Sequence, residues 1–372
     1  MSLDKLLSIV SERFRIHGYR EEGKGYYFAV EPLQPEALDE SFKSVYREAL
    51  SAGYAALLLN DNGLISLRFL PLKKGYRKLT PIVLSIVTLI TVLITGYDLA
   101  IGFHSFLEEL GRASQYTSTV LTDAVLFTLF FMGSLLLHEM GHWTTARRMG
   151  VPVSLPYFLP APPYRLGFIG TFGAVINMRS LPAAVDELAM LGLAGPLTGF
   201  IAGIATTVVG IHMSQWVDVD VAKAMIERGE ASAWGFAPLS FALVSSAMGP
   251  SGEKMLIMHP LAFAGFITLL VTFLNLLPIG QLDGGHVVRS VSSMETHRMI
   301  GIATVIAMFL ATPLVPVLGF FAVIAWILFA MSGGRHVGAM NTFSRPSAKS
   351  WAAVTLYVAL LILTLPIPLS LG

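Results

Sequence analysis

The sequence has no cysteine and little charge. Without cysteine the chain can form no disulfide bond, offer no thiol nucleophile and hold no cysteine-ligated zinc, so any metal must be bound by His, Asp or Glu. Charged residues are 13% of the 372 residues, whereas soluble domains have about 25%. The net charge of +1 is not gathered in a basic stripe, which argues against nucleic acid as a partner. With a hydrophobic fraction of 54%, this composition indicates a membrane protein.

The few charges are concentrated at the N-terminus. Residues 1–78 contain 12 Lys/Arg and 10 Asp/Glu, close to half of all the charged residues in the chain. We therefore expect a soluble head over 1–78 and a membrane domain over 79–372. The first residues have no uninterrupted apolar core and no small-residue cleavage site, so we expect no cleaved signal peptide.

The head is predicted to be a small α/β domain. Apolar residues at helical spacing indicate a helix over 3–14, and a proline followed by acidic residues indicates another over 34–50. Strands are expected over 24–31, 54–59 and 63–70, the last two as a hairpin. No catalytic residue can be placed in the head, so we interpret it as a docking or regulatory module.

The membrane domain consists of long apolar segments. The stretch 299–332 would form one helix of about 51 Å, too long for a hydrocarbon core of about 30 Å. Because Pro313 and Pro316 lie in its middle, we interpret it as two short spans joined in a hairpin. This gives about seven spans in all. The other five are 79–97, 119–142, 188–210, 256–279 and 351–370.

The basic residues give the orientation of the spans. If the head is cytoplasmic, the inner segments, Arg165 among them, hold 21 Lys/Arg and the outer segments hold four. Residues 98–118 and 212–254 are then outside. We interpret 231–249 as an interfacial or re-entrant piece of the outer loop, because counting it as a span would invert everything downstream. The predicted fold is a multi-spanning α-helical membrane protein with a small cytoplasmic α/β head.

The stretch "LFFMGSLLLHEMGHWTTARRMG" (129–150) ends an apolar span with ionisable residues. In "HEMGH", His138 and His142 are four residues apart and share one face of a helix. This spacing presents two imidazoles to one zinc ion, with Glu139 placed to take a proton from water. The pattern also arises by chance in soluble proteins, but ionisable groups within a span are costly and by default functional. The motif therefore predicts a metal site at the inner end of this span.

A catalytic zinc site usually has three protein ligands and one open position. The segment "FLNLLPIGQLDGGHVV" (273–288) supplies Asp283 at the cytoplasmic end of another span, level with His138 and His142. Pro278 and the glycines around it would break the helix and let the backbone bend around a site. We therefore expect one Zn²⁺ per chain, held by the two histidines and this aspartate.

The two motifs together resemble those of the site-2 protease family of intramembrane zinc metalloproteases. HEMGH is followed far downstream by "NLLPIGQLDGGH" (275–286), as in that family. Residues 168–200 resemble the subgroup that includes the plastid ethylene-dependent gravitropism-deficient proteases and their prokaryotic relatives. The resemblance covers about 119–290, which would be the catalytic core, and does not extend to the head.

The resemblance implies a function for each motif residue. The zinc ligands would be His138, His142 and Asp283, and the general base would be Glu139. Asn275 would be a second catalytic residue, a polar group near the scissile carbonyl, although it could equally bond backbone freed by Pro278. His286 either supports Asp283 or lies at the cytoplasmic surface. The remaining histidines, His17, His104, His212, His297 and His336, are expected to be solvated. Asp123 and His259 are expected at the outer interface.

The stretch 161–178, "APPYRLGFIGTFGAVINM", is rich in glycine and suits a strand pair that lies close to another backbone. A strand edge could bind an unwound substrate segment through main-chain hydrogen bonds. We therefore expect substrate to contact Gly170, Phe172, Gly173 and Ala174. The alternative is a simple inner loop.

The expected function is an intramembrane endopeptidase that cuts transmembrane segments of membrane proteins near the cytoplasmic face. Its partners would be single-span or multi-span substrates and the lipid bilayer, and its location a prokaryotic cell membrane. A metal-ion transporter is the first alternative, but it would place polar residues through the whole bilayer depth. The second is an inactive scaffold, against which the intact Glu139 argues.

Overall fold

The computed structural model describes residues 3–61, 63–72, 79–229, 233–331 and 333–369. The basic run 73–78 that ends the predicted head lies outside these ranges, as do residues 231 and 232 of the outer loop. Over the described residues the chain forms a small mixed head followed by a bundle of mostly apolar helices.

The head packs two helices against one antiparallel sheet. Its elements are α1 (Leu3–Ser11), β1 (Phe14–Glu22), β2 (Gly25–Pro32), α2 (Leu38–Ser51), β3 (Tyr54–Asp61) and β4 (Leu64–Pro71). The strand order is β1-β2-β4-β3. The two predicted helices and three predicted strands are confirmed. The strand β1 is an addition, because only Phe14 of its nine residues is buried and it has no alternation of apolar and polar residues to reveal it.

The head is attached to the membrane domain along the edge of β3. The amide of Leu58 donates to the carbonyl of Met340 at 2.9 Å, and the amide of Thr342 donates to the carbonyl of Leu58 at 3.1 Å. The hydroxyl of Tyr46 donates to the carbonyl of Leu181 at 2.6 Å. This side of the helix bundle is called the head side below, and the opposite side the far side.

The membrane domain contains ten helices within the described residues. They are α3 (Leu79–Glu109), α4 (Val120–Arg148), α5 (Val185–Met213), α6 (Val219–Glu227), α7 (Leu239–Met248), α8 (Pro260–Asn275), α9 (Asp283–Val291), α10 (Met294–Ala311), α11 (Pro316–Met331) and α12 (Ala348–Thr364). Its short strands are β5 (Tyr157–Pro160), β6 (Thr171–Val175), β7 (Gln215–Asp218), β8 (Phe236–Pro238), β9 (Lys254–Ile257) and β10 (Pro366–Pro368).

Each of the seven predicted spans coincides with a helix of the structure. Within the described residues, α3, α4, α5 and α10 are long and apolar enough to cross a membrane, whereas α8, α11 and α12 have only 16 or 17 residues. The long stretch 299–332 is indeed two helices, α10 and α11, with a turn before Pro316. The structure thus supports a membrane protein, and the number of crossings stays a prediction.

Side-chain contacts show which helix ends share a side of the bundle. The hydroxyl of Ser347, just before α12, donates to Asp186 in the first turn of α5, and both lie on the head side. His259, just before α8, lies 3.3 Å from Asp123 in the first turn of α4, on the far side. The helices α4 and α8 therefore start on the far side and α5 and α12 on the head side, as the predicted order of spans requires.

The far side is covered by the segment between α5 and α8. There β7 pairs with β9, and β8 pairs with β10 from the end of the chain. The described part of 231–249 forms β8 and α7. With 10 residues, α7 is about 15 Å long, half of a bilayer core of about 30 Å. It is therefore too short to be an additional span, in agreement with the interpretation from the sequence.

The antiparallel strands β5 and β6 form a hairpin that runs along α3. Near its base, the amide of Phe158 donates to the hydroxyl of Ser85 at 3.2 Å. At its tip, Arg165 lies 2.7 Å from the carboxylate of Asp98. Ser85 and Asp98 are separated by about 20 Å along the helix axis, at about 1.5 Å per residue. The hairpin therefore enters from the head side and turns back near the far side.

This re-entrant hairpin changes two expectations. The strand predicted within 161–178 is present as β6, but its partner β5 lies just upstream of that stretch. Arg165, counted among the inner basic residues, pairs with Asp98 at the far end of the first predicted span, so its inner placement is wrong. A count of basic residues assigns a whole loop to one side, and it cannot register a loop that turns back within the bilayer.

Because the chain has no cysteine, single cysteines can report the depth of the hairpin. Leu166 at the tip is 67% exposed and Leu155 before β5 is 70% exposed. We expect Leu166→Cys to react with a membrane-impermeant maleimide from the far side, as the control Arg112→Cys should. Leu155→Cys should react only from the head side. Labelling of Leu166→Cys and Leu155→Cys from the same side would contradict the re-entrant hairpin.

Candidate metal centre

The helices α4 and α9 bring His138, His142 and Asp283 together. The Nε2 atoms of His138 and His142 lie 3.1 and 3.2 Å from the two carboxylate oxygens of Asp283, and 3.3 Å from each other. Tetrahedral zinc with bonds of about 2.0–2.1 Å holds its ligand atoms about 3.3 Å apart. Among the described residues no other group of His, Asp or Glu gathers three such atoms within 4.8 Å. The three side chains therefore fit a zinc ion.

The orientation of one imidazole is fixed by the backbone of α5. Nδ1 of His142 lies 2.9 Å from the carbonyl oxygen of Leu191. A carbonyl oxygen can only accept, so Nδ1 carries the proton and donates. In the neutral ring, Nε2 then has a free lone pair directed toward Asp283 and His138. This is the arrangement in which a histidine can bind a metal, and the carbonyl of Leu191 maintains it.

Glycines let α5 approach the two imidazoles with its backbone. A Cβ added at Gly195 would lie 2.0 Å from Nε2 of His142, and one at Gly199 would lie 2.8 Å from Nδ1 of His138. Across the interface, a Cβ at Gly141 of α4 would lie 2.4 Å from a carbonyl oxygen of α5. None of these glycines is among the residues expected from the sequence. The sequence feature that could have revealed two of them is the four-residue spacing of Gly195 and Gly199 in "AGPLTGF", which is typical of closely packed membrane helices.

Asn275 and Asp283 are placed by the short turn between α8 and α9. Asn275 is the last residue of α8, and its Nδ2 lies 3.4 Å from Nε2 of His138. Asp283 is the first residue of α9. A Cβ at Gly284 would lie 2.0 Å from the carbonyl oxygen of Leu276, so only glycine lets α9 begin this close to the end of α8. The asparagine and aspartate of the second motif therefore both reach the histidines.

Glu139 lies between the two histidines and the hairpin. Its side chain is buried at 9% exposure and interacts with the backbone amide of Ile176, the residue that follows β6. The end of β6 is therefore beside the carboxylate next to the two histidines. A segment held along β6 would lead directly to this site.

The four residues expected to contact substrate differ in their surroundings. The carbonyl of Gly170 accepts a hydrogen bond from the hydroxyl of Thr91 in α3 at 2.6 Å, so this residue anchors the hairpin. Phe172 is 66% exposed and lies at an irregularity in the strand pairing. Gly173 and Ala174 pair with β5. Among the described residues β6 has no strand on its other edge, which is the edge that a substrate could use.

Three histidines near Asp283 are buried: His297 and His336, which were expected to be solvated, and His286, for which a surface position was one alternative. The amide of Gly338 donates to Nδ1 of His336, so Nε2 of His336 carries the proton and donates to Nδ1 of His286 at 2.7 Å. The ring of His297 lies 5.5 Å from that of His336. Burial, and next the neighbouring His286, lower the pKa of His336 to about 2, so it stays neutral. Solvent exposure of His297 and His336 is wrong, and so is the surface alternative for His286, because the segment after α11 folds back over α9.

A second polar cluster lies on the far side of α4. Its centre is the carboxylate of Asp123, which is 0% exposed. The surrounding polar groups are the hydroxyls of Tyr116 and Ser118 and the imidazoles of His104 and His259. Asp123 and His259 lie at the far-side ends of α4 and α8, where the sequence places them, but neither is exposed to solvent. The side chain of His104 is only 21% exposed, so it is less solvated than expected. Several elements close over this end of the span. His17 and His212 are exposed, as expected. About 22 Å along α4 separates Asp123 from His138.

Comparison with known proteins gives one family match. The profile of peptidase family M50 matches residues 126–316, which include both motifs. The chain is 28% identical over 239 residues to a protein of Arabidopsis thaliana described as probable zinc metalloprotease EGY1, chloroplastic, covering 63% of this chain and 41% of that protein. It is 27% identical over 305 residues to a protein of Oryza sativa subsp. indica described as probable zinc metalloprotease EGY3, chloroplastic. This match covers 78% of this chain and 48% of that protein. The chain thus spans less than half the length of these relatives. No solved structure matches.

The close contact at Gly195 predicts a loss of metal when a side chain is added. In Gly195→Ala the new methyl group would occupy the space of His142 Nε2, so the imidazole must leave its position. We expect purified Gly195→Ala to have lost most of the zinc that the wild type binds, as measured by elemental analysis. The matched control is Gly133→Ala on α4, where nothing lies within 4 Å of the added Cβ. Full zinc content in Gly195→Ala would show that α5 does not hold the histidines.

Proposed function

The chain belongs to peptidase family M50, and on this premise we propose that it is an intramembrane zinc endopeptidase of the site-2 type. The observation that carries the proposal is the spacing of 3.1 to 3.3 Å between the ligand atoms of His138, His142 and Asp283. His138 is about 15 Å from the head-side end of α4. A peptide bond reaching this centre would therefore be cut within the membrane, in its head-side half.

We assign zinc binding to His138, His142 and Asp283, one ion per chain. When bound, zinc makes water acidic enough to attack at neutral pH and polarises the substrate carbonyl. Glu139 is adjacent in sequence to His138 and lies in the same buried space. Its carboxylate accepts the proton of the attacking water and then delivers it to the leaving amine. The buried walls around these residues exclude other water and strengthen their electrostatic effects.

Asn275 has the position of an electrostatic helper. Its Nδ2 lies 3.4 Å from His138 Nε2, so the amide group is beside the place where the scissile carbonyl must come. A donor fixed at this position would stabilise the negative charge that develops on the carbonyl oxygen. The amide is held at the end of α8, a buried helix, so it needs little reorganisation during the reaction.

The hairpin supplies what a transmembrane substrate needs before it can be cut. A helical segment keeps its carbonyls in internal hydrogen bonds, and in lipid these bonds cannot be replaced by water. The open edge of β6 offers main-chain partners to an unwound segment, and the strand ends beside Glu139. We propose that the substrate is bound as an extended strand along β6, with Phe172 beside it. Membrane proteins of one or several spans are the substrate class.

The orientation proposed from the basic residues places the head in the cytoplasm, with the cut near the cytoplasmic face. We propose a prokaryotic cell membrane from the resemblance to the prokaryotic members of the subgroup, although the relatives found here are described as chloroplastic. A metal-ion transporter is a weaker interpretation. Between the two polar clusters, α4 buries the apolar side chains of Phe127, Phe131 and Leu135, which leave no continuous row of metal ligands.

Replacement of Glu139 separates catalysis from metal binding. The amide in Glu139→Gln cannot accept a proton, so we expect cleavage of a model transmembrane substrate in proteoliposomes to fall by about 10²–10⁴-fold. The zinc content should stay at the wild-type level, because Glu139 is not a ligand. The control Glu108→Gln, an exposed position at the end of α3, should cleave normally. Wild-type turnover in Glu139→Gln would exclude this function for Glu139, and a wild type without any cleavage activity would favour the scaffold.

The strand-edge proposal makes a separate prediction for the hairpin. Proline removes one backbone donor and fixes the backbone angle φ, so Phe172→Pro or Ala174→Pro should slow cleavage several-fold without releasing zinc. The control Leu155→Pro lies outside both strands and should cleave as the wild type does. In the substrate, Gly, Pro or Asn should speed cleavage, because they make unwinding easier. Normal cleavage by both β6 variants would mean that the substrate is held elsewhere.

A further inference from the structure

A polar cavity of about 230 Å³ lies on the head side of the membrane domain. It is open to solvent on one side and is lined by the end of α9, the start of α5 and the segment 337–346. Its polar lining consists of Arg289, Ser290, Ser292, Asn341, Thr342 and Ser344. A water molecule occupies about 30 Å³ in the liquid, so the cavity has room for a small ion with several oxygen atoms. It is separate from the metal centre, because none of the proposed ligands lines it.

Arg289 brings an uncompensated positive charge to this cavity. Its guanidinium donates to three backbone carbonyls, those of His336 at 3.1 Å, Ser292 at 2.5 Å and Val337 at 3.3 Å. None of the ion pairs among the described residues includes Arg289. Burial also lowers the pKa of Arg289, which reflects the cost of enclosing this charge. Arg289 is half-buried, and among the described residues no carboxylate forms an ion pair with it, so its charge can attract an anion into the cavity.

Several donors remain available around the charge. A guanidinium has five N–H donors, of which three are used by the carbonyls. Ser344 Oγ accepts from the amide of Val185 at 3.3 Å, which leaves its own proton free to donate. The acidic side chains next to Val185 are engaged elsewhere, Asp186 with Ser347 and Glu187 with Lys43. Donors on two sides of the cavity can therefore converge on one oxyanion.

We propose that this cavity binds a phosphate group, with Arg289 as its counter-charge. Arginine and hydroxyl donors arranged around a tetrahedral oxyanion are the usual recognition chemistry of phosphate. On the head side of a membrane domain, the group can belong either to an anionic lipid or to a soluble phosphate ester. The bound anion joins α9, which begins with Asp283, to the segment that pairs with β3 of the head. The site therefore stabilises the contact between the head and the catalytic core, and it does not depend on the proposed proteolysis.

Thermal unfolding of the full chain tests the proposal. In detergent, inorganic phosphate or pyrophosphate should raise the unfolding midpoint progressively, relative to chloride at equal ionic strength, because a ligand that binds only the folded state stabilises it. Arg289→Gln should weaken the apparent affinity at least about tenfold, the usual loss for a hydrogen bond to a charged group. The control is Arg335→Gln, an exposed arginine on the adjoining segment, which should respond as the wild type does.

A second variant covers the case in which Arg289→Gln does not fold. Ser292→Asp, three residues after Arg289 at the end of α9, adds a carboxylate that can take the place of the anion. It should raise the midpoint in chloride and abolish the response to phosphate. Nanodiscs of phosphatidylglycerol and of phosphatidylcholine distinguish the sources: stabilisation by phosphatidylglycerol alone, lost in the variants, assigns the site to a lipid headgroup. The proposal is overturned if neither probe stabilises the wild type, or if the variants respond as strongly as the wild type.

Discussion

The direct contact between the backbone of α5 and the imidazoles of α4 is the constraint on which the rest of the membrane domain depends. With no Cβ at Gly195 and Gly199, the helix axes come close enough for the carbonyl of Leu191 to hold His142 in one tautomer. Any larger residue at these positions would displace the rings and lose the spacing to Asp283. Because lipid gives helices no hydrophobic reason to associate, such close packing and its hydrogen bonds must fix the geometry. Helix packing thus sets the geometry of the candidate metal centre.

Much of this site can be predicted from the sequence because its determinants are local. His138 and His142 are four residues apart on one helix, so their shared face follows from helical geometry. Asp283 could be placed beside them from the depth of its span, and the structure brings its oxygens within 3.2 Å of both rings. The helical hairpin at Pro316 follows from the length of its apolar stretch. In each case the prediction needs only one helix, or the position of one span relative to the membrane.

The incorrect expectations all concern contacts between segments that are distant in the chain. Hydropathy gives the position of Asp123 at the end of its span but not its burial, which comes from groups of α3, the residue before α8 and the loop before α4. His336 follows a predicted span and was therefore expected in a solvated loop. In the structure its segment folds back and packs against α9. Arg165 lies in a segment that was counted as an inner loop. In the structure this segment is a hairpin along α3, and Arg165 at its tip pairs with Asp98. Such burial depends on tertiary packing, for which a single sequence has no periodic signal.

The two buried carboxylates show why only one of these polar clusters is suited to a metal. Asp123 accepts hydrogen bonds from the hydroxyls of Tyr116 and Ser118 and has two imidazoles beside it, so its lone pairs are satisfied by protein donors. Among the residues that the structure describes, the side-chain partners of the Asp283 carboxylate are imidazole nitrogens, and in neutral His142 the Nε2 atom is itself an acceptor, because Nδ1 donates to Leu191. Two acceptors 3.2 Å apart repel each other unless a cation lies between them. A proton could fill that position for one pair of atoms. A metal ion between the three side chains would accept a lone pair from each of them at once, as a zinc ion with three protein ligands does.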